Sequence, residues 1–365
     1  MRVLVMTVVH HPEDARILHR QIASLREAGH EVVYAAPFAA RGVLPRDGVR
    51  GVDLPRSAGR HRGKALLAAR QAYRRLRDEV DITVVHDPEL LLVVAGNHGR
   101  RPVVWDVHED TAAALGMKAW MPGPLRKPVA AAVKAAEAGA ERNLHLTLAE
   151  HGYADRFRKR HPVVPNQTLV PADVPPPGAE RAVYLGAITL ARGAAEMVAV
   201  ARLLTPEGVR VELIGSADAA SEPLLAAAVA DGVLDWAGFT PNDVALARLP
   251  GALCGLSLLH DEPNYRHSMP TKVIEYMAHG LPVVTTPNPP AAELVTRHRC
   301  GTVVPWDDPQ AAAEAVLQLR DDEATRAEYG RRGHEAALAE HDWRTSGRRF
   351  VAQLEEWSRG VPTRR

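Results

Sequence analysis

RVLVMTVVHHPEDARILHRQIASLREAGHEVVYAAP, residues 2–37, reads as a strand, a helix and a second strand. The run at 2–9 is apolar and rich in β-branched residues, the signature of a strand buried on both faces. Leu18, Ile22 and Leu25 then fall at helical spacing, with Pro12 near the start and Gly29 at the end. EVVYAAP is the second strand. Two strands joined this way run parallel, through a right-handed crossover.

The same alternation runs outward along the 365 residues. Strands are predicted at 81–86, 102–108, 144–149 and 162–166, and a helix at 125–143. Residues 162–178 hold six prolines, and the alternation lapses there, as it does in a semi-rigid linker. It restarts with strands at 181–186, 209–215, 234–238, 252–259 and 281–286, and helices at 193–204 and 271–279. Helical patterns dominate from 308 onward. The expectation is an α/β chain of two doubly wound, Rossmann-like domains facing a cleft, joined near 167–180.

Composition narrows the function classes. Apolar residues are 46% and charged residues 24%, as in ordinary soluble globular proteins. Lys plus Arg is 45 and Asp plus Glu is 44, a net charge of +1 that gives no support to nucleic-acid binding. Only six of the 45 basic residues are lysines, and beyond residue 160 the single lysine is Lys272. Cys254 and Cys300 form neither a disulfide framework nor a zinc ribbon. The first apolar run stops at His10-His11 without a cleavage site, so it reads as a strand and not as a signal peptide. No run approaches the ~18 apolar residues of a membrane span. A cytoplasmic protein is expected, without membrane association.

In open α/β sheets, ligands bind beyond the carboxyl ends of the strands. Four polar clusters stand there: His10 to Asp14, His86-Asp87-Pro-Glu89, Asp106-Val-His108-Glu109-Asp110, and the segment before Glu275. The last is HDEPNYRHSMPTKVIEYMAHGLPVVTT, residues 260–286. Here a polar loop enters a helix at Pro270 or Thr271. Thr271 and Lys272 sit in its first turn, where free N–H groups attract an anion. Glu275 follows on a neighbouring face and could accept two hydrogen bonds from a ribose diol. Together they describe a pocket for a nucleoside phosphate. Lys272 and Glu275 taken alone also fit an ordinary surface pair.

PTKVIEYMAHGLPVV (270–284) resembles the nucleotide-sugar motif of family 4 retaining glycosyltransferases, which have the GT-B fold. The resemblance assigns Glu275 to the donor ribose. The family's second glutamate, eight residues earlier, is His267 here, which suits a branch reading S-x-P-x-K, as Ser268 to Lys272 does. YLGAITLARG (184–193) is similar to the first donor-domain strand, so Gly186, Arg192 and Gly193 would meet the diphosphate. WAGFT (236–240) resembles the segment that holds the nucleobase, with Phe239 and Thr240 as candidates. In the first half, GHEVV and VVPNQ match family segments, and HHPEDAR (10–16) replaces a glycine-rich loop. His108 stands where the family has an active-site histidine. His11, Asp14, Arg16, His86, Asp87 and Glu109 are the candidates for the acceptor; His11 and Asp14 also fit a helix cap.

The resemblance covers about residues 2–358. It implies an acceptor domain at 1–167, a donor domain at 168–342 and a closing helix at 343–365 that packs back on the first domain. It implies transfer, with retention, from a nucleotide diphosphate sugar, UDP first and GDP second, to a small-molecule or glycan acceptor. No D-x-D stands where a metal would be held, so no metal or other cofactor is expected. Three rival readings remain. HHPEDA resembles a deacetylase zinc motif, with His11 and Asp14 as ligands. A GT-B sugar-nucleotide epimerase, or a binding protein that only holds the nucleotide sugar, would share the fold.

Overall fold

A computed structural model describes residues 1–96, 101–108, 123–263 and 265–360. The chain forms two compact units, Met1–Asn166 with Arg344–Arg365, and Gln167–Trp343.

Unit 1 holds strands β1 (Arg2–Met6), β2 (Glu31–Ala36), β3 (Arg50–Asp53), β4 (Ile82–Val85), β5 (Val103–Val107) and β6 (His145–Leu148). They form one sheet in the order β3-β2-β1-β4-β5-β6, and every pair is parallel. Val3, Leu4, Val5 and Met6 are at most 1% exposed, which is why β1 carries no polar alternation. Helix α1 winds with π-type turns over Ala15–Ile22 and continues as an α-helix over Ala23–Glu27. Asp14 caps it, accepting from the Arg16 and Ile17 N–H groups at 2.9 and 3.0 Å. Helices α2 (Arg62–Leu76) and α3 (Gly123–Asn143) follow. The C-terminal helix Trp343–Arg359 gives unit 1 buried Phe350 and Leu354. His30 bonds its Glu355 at 2.9 Å, and Trp357 stacks on His145 at a centroid distance of 4.5 Å.

Unit 2 repeats the plan. Its strands are β7 (Arg181–Leu185), β8 (Arg210–Ile214), β9 (Asp235–Trp236), β10 (Cys254–Ser257), β11 (Val283–Thr285) and β12 (Gly301–Val303). Their order β12-β11-β10-β7-β8-β9, counted from β7, matches the order of unit 1. All pairs are again parallel. One face packs α4 (Ala194–Leu204) through Met197 and Ala201, the other α5 (Thr271–Ala278) through Val273, Tyr276 and Met277. Helix α6 (Glu323–Glu340) packs on α5.

The α/β class and doubly wound layers are those the alternation predicts, but the outer strands differ. Residues 162–166 form no strand, only an isolated bridge from Val163 to Leu148, because Pro162 and Pro165 have no N–H to donate. The edge strands β3 and β12 have no counterpart in the apolar pattern. Both are short and largely open to solvent, so neither shows a buried run.

Candidate active site

In each sheet the strand order reverses between the first and fourth strands of the unit, and polar side chains gather beyond that point. In unit 1 the reversal lies between β1 and β4. Asp87, fully buried after β4, grips the loop after β1. Thr7 Oγ1 donates to its carboxylate at 3.0 Å, and the Val8 and Val9 N–H groups donate as well, the latter at 3.2 Å. His10 Nε2 stands 3.3 Å from the same carboxylate and 2.9 Å from His108 Nε2. The two histidine nitrogens share one proton between them.

Asp106 in β5 is fully buried and holds the floor of this site. Arg16 binds it bidentately, Nε and Nη2 each donating at 2.7 Å. Gln21 and Thr147 donate at 2.9 and 2.7 Å. Burial raises the Asp106 carboxyl, but the Arg16 guanidinium outweighs it and holds the group well below the usual range. His86 Nδ1 lies 3.3 Å from Asp106, with both ring nitrogens buried. Burial, then the electrostatic effect of His10, push His108 down to about 3, so its imidazole is neutral at neutral pH. Asp14 is lowered: burial opposes ionisation, but the surrounding histidines, His10 first, and the Ile17 N–H outweigh it. Burial, Arg41 and Arg56 lower His11, whose Nδ1 accepts from the Glu13 N–H at 3.1 Å.

In unit 2 the reversal lies between β7 and β10. Tyr276 of α5 pins the two strands together. Its hydroxyl accepts from the Leu185 N–H at 2.9 Å and donates to the Leu256 carbonyl at 3.0 Å. A Cβ at Gly255 would collide with its ring, so the glycine lets α5 sit on β10. This seats Lys272 and Glu275, 7% and 5% exposed, over the strand ends. Lys272 Nζ donates to Tyr184 Oη at 2.8 Å and lies 3.9 Å from the centre of its ring. Burial, then Arg192, depress the Lys272 ammonium well below its ordinary range, against the pull of Glu275. Gly186 packs on the Lys272 stem, 3.6 Å from its Cε to an added Cβ. Gly193 has a φ of +85° and caps α4 so tightly that a Cβ would collide with the Leu258 carbonyl oxygen. Arg192, just before it, lies over the Tyr265 ring at 5.9 Å.

The structure therefore gathers Gly186, Arg192, Gly193, Lys272 and Glu275. Thr271 opens the same helix and Ser268 lies in the loop before it, while His267 is exposed. Phe239 is 53% exposed, and Thr240 donates to the Gly238 carbonyl at 3.3 Å, both beyond β9. In unit 1, His108 and Asp14 come together through His10. Arg16, His86 and Asp87 are at most 4% exposed and act on their neighbours. Glu109 lies outside the described residues. His11 and Asp14 belong to no set of three converging metal-ligating side chains among the described residues.

Three residues here escape the sequence reading: His10 as a partner of His108, Asp106 as the anchor, and Glu150 just after β6. Burial raises Glu150 to about 7, against Arg16 and Asn166. Only the recurrence of polar residues at strand ends hints at them.

Comparison with known proteins bears on the fold and the family. A model described as Glycosyltransferase Family 4 matches residues 15–171, and one described as Glycosyl transferases group 1 matches residues 179–322. No curated protein matches the sequence. Among solved structures, sucrose-phosphate synthase from Thermosynechococcus elongatus is similar at 16% identity and a TM-score of 0.73, covering 97% of this chain and 98% of that one. HepE of Anabaena, in complex with UDP-glucose, is similar at 15% identity and a TM-score of 0.69, over 98% and 100% of the two chains. WaaG, involved in lipopolysaccharide biosynthesis, is similar at 14% identity and a TM-score of 0.69, over 97% and 99%. No helix among the described residues is long and apolar enough to cross a membrane. With a family 4 domain in its first half and a group 1 domain in its second, on a two-domain Rossmann-like GT-B fold, the chain belongs to the glycosyltransferases.

Proposed function

We propose that the chain is a retaining hexosyltransferase that takes its sugar from a nucleotide diphosphate sugar, UDP-linked before GDP-linked, and needs no metal for the transfer. The acceptor class is a small molecule or a glycan, met by residues of unit 1. The observation that carries the donor reading is Lys272. It is a buried amine in the first turn of a helix, with the Arg192 cation nearby, and both burial and Arg192 disfavour its charged form. Holding it charged there costs several kcal/mol unless an anion offsets it. A diphosphate does so, and its charge grows as the sugar leaves. Lys272, Arg192 and the free N–H groups of α5 then stabilise the leaving group. Glu275, three residues along, is the proposed partner of the ribose hydroxyls. The UDP-glucose bound by HepE supports UDP as the base carrier.

His108 is the proposed catalytic residue. A neutral imidazole held by Asp106 and His10 can donate or accept one hydrogen bond at a sugar hydroxyl without bringing a charge. Asp87 and Asp106 are positioning residues, fixing His10 and His108.

The test is a metal-free calorimetric and thermal-shift screen of UDP, GDP, TDP and ADP. A nucleotide at 100 times its Kd adds about 2.7 kcal/mol of stability. One nucleotide should bind to the wild type and fail to bind to Glu275→Ala. Silence from all four, with and without magnesium, would overturn the donor reading. Transfer assayed in EDTA, with the product anomer read by NMR, checks metal independence and retention.

A further inference from the structure

Among the described residues, two sets of three metal-ligating side chains bring their ligand atoms together. The first is His86, Asp106 and His108. Its carboxylate is already committed to Arg16, Gln21 and Thr147, and the guanidinium 2.7 Å away repels a cation. That set belongs to the site described above.

The second set is Glu196, His260 and Asp307 of unit 2. Glu196 lies in the first turn of α4, His260 follows β10, and Asp307 follows β12. His260 Nε2 is 3.0 Å from Glu196 Oε2 and 3.5 Å from Asp307 Oδ1. The three ligand atoms lie within 4.8 Å of one another. His260 Nε2 and Glu196 Oε2 are both sealed from solvent, and among the described residues neither has a hydrogen-bond partner. A nitrogen and an oxygen at 3.0 Å ordinarily share a proton. Here the geometry is not that of a hydrogen bond, which leaves both atoms open to a third centre. Around a tetrahedral ion with bonds of ~2.0–2.1 Å, neighbouring ligand atoms stand ~3.3 Å apart. The separations of 3.0 and 3.5 Å bracket that value. Two carboxylates bring two negative charges, and a dication bound beside the imidazole balances them.

We propose that Glu196, His260 and Asp307 bind one divalent transition-metal ion, zinc being the fitting occupant, with water completing a four-coordinate shell. One imidazole and two carboxylates suit zinc, whereas calcium and magnesium call for oxygen alone. The ion is a clamp and takes no part in group transfer. It ties the segments after β10 and β12 to the start of α4. The His260 backbone N–H also donates to the Ala191 carbonyl at 3.0 Å, so the clamp fixes the backbone beside Arg192. The site stands on its own ligands and does not depend on the identity of the donor.

The experiment uses the full chain, stripped with EDTA and dialysed. Zinc is titrated by calorimetry and cobalt by visible absorption. One equivalent of zinc should bind, cobalt should give visible bands, and the thermal midpoint should rise with either ion. His260→Ala and Asp307→Ala should each weaken zinc at least tenfold with the circular dichroism of the wild type. Asp307 is 67% exposed in its side chain, so its variant keeps the fold and decides the matter alone if His260→Ala does not fold. No uptake by the wild type, or uptake unchanged in Asp307→Ala, would overturn the proposal. So would a thermal midpoint that zinc leaves where it was, since His260 is then only an ion-pair partner of the two carboxylates.

Discussion

His108 shows how much one residue depends on others far along the chain. Its neutrality comes from burial and from His10, 2.9 Å away, and its orientation from Asp106. His108→Ala should cut turnover at least tenfold while the circular dichroism and thermal midpoint stay near wild type; a near-wild-type rate would remove it from the mechanism. Glu150 makes a different prediction. Its folded carboxyl titrates at about 7 against an ordinary 4.5, so the protonated form is favoured in the native state. The stability this gives is complete below pH ~4.5 and is lost as the pH rises through ~7. Glu150→Gln should therefore be near neutral at pH 5 and stabilising at pH 8, by up to ~3 kcal/mol. Urea denaturation at the two pH values checks it, and a pH-independent difference would contradict it. At this scale the sequence is partly legible. Lys272 stands out as the lone lysine of its half, and the helix start places Glu275 beside it. Arg16 has the sequence position of an acceptor contact, yet it is buried against Asp106, because a pairing across 90 residues leaves no local trace.

Among the elements, glycine geometry decides where the proposed anion site can form. Gly193 must hold a φ of +85° while the Leu258 carbonyl packs against its bare Cα. Gly193→Ala should destabilise unit 2 by ~2–4 kcal/mol and weaken nucleotide binding, since the Arg192 turn must move. Gly208→Ala is the control. Its φ is +78° but nothing lies within 4 Å, so only ~1 kcal/mol is expected. Equal losses in chemical denaturation would show that packing at Leu258 is irrelevant. The central strands are legible because burial on both faces makes them continuous apolar runs. The edges β3 and β12 are not, because their solvent-facing residues follow no period. The π-type turns of α1 are hidden too, since their apolar spacing fits ordinary helical spacing.

For the whole molecule, the doubled sheet order is legible only as alternation; the match between the two orders needs hydrogen-bond pairing to see. The closing helix is the part most open to test. Phe350 and Leu354 are fully buried in unit 1, and Trp357 stacks on His145. Ending the chain after Trp343 should raise hydrogen exchange throughout β1, β2 and β6 and leave α4 and α5 of unit 2 protected. Uniform protection in both units would mean the helix adds little.

That return of the chain to its first unit also orders events in time. The chain enters and leaves unit 2 side by side, where Thr168 bridges Asp342. Unit 2 is continuous, but unit 1 is made of segments translated before it and after it. At about 5–20 residues per second, synthesis of the intervening unit takes roughly ten to thirty seconds. Throughout that interval the first sheet exists without the helix that seals it, and its apolar flank is open to chaperones and to other nascent chains. The helix translated after unit 2 completes the sheet begun before it.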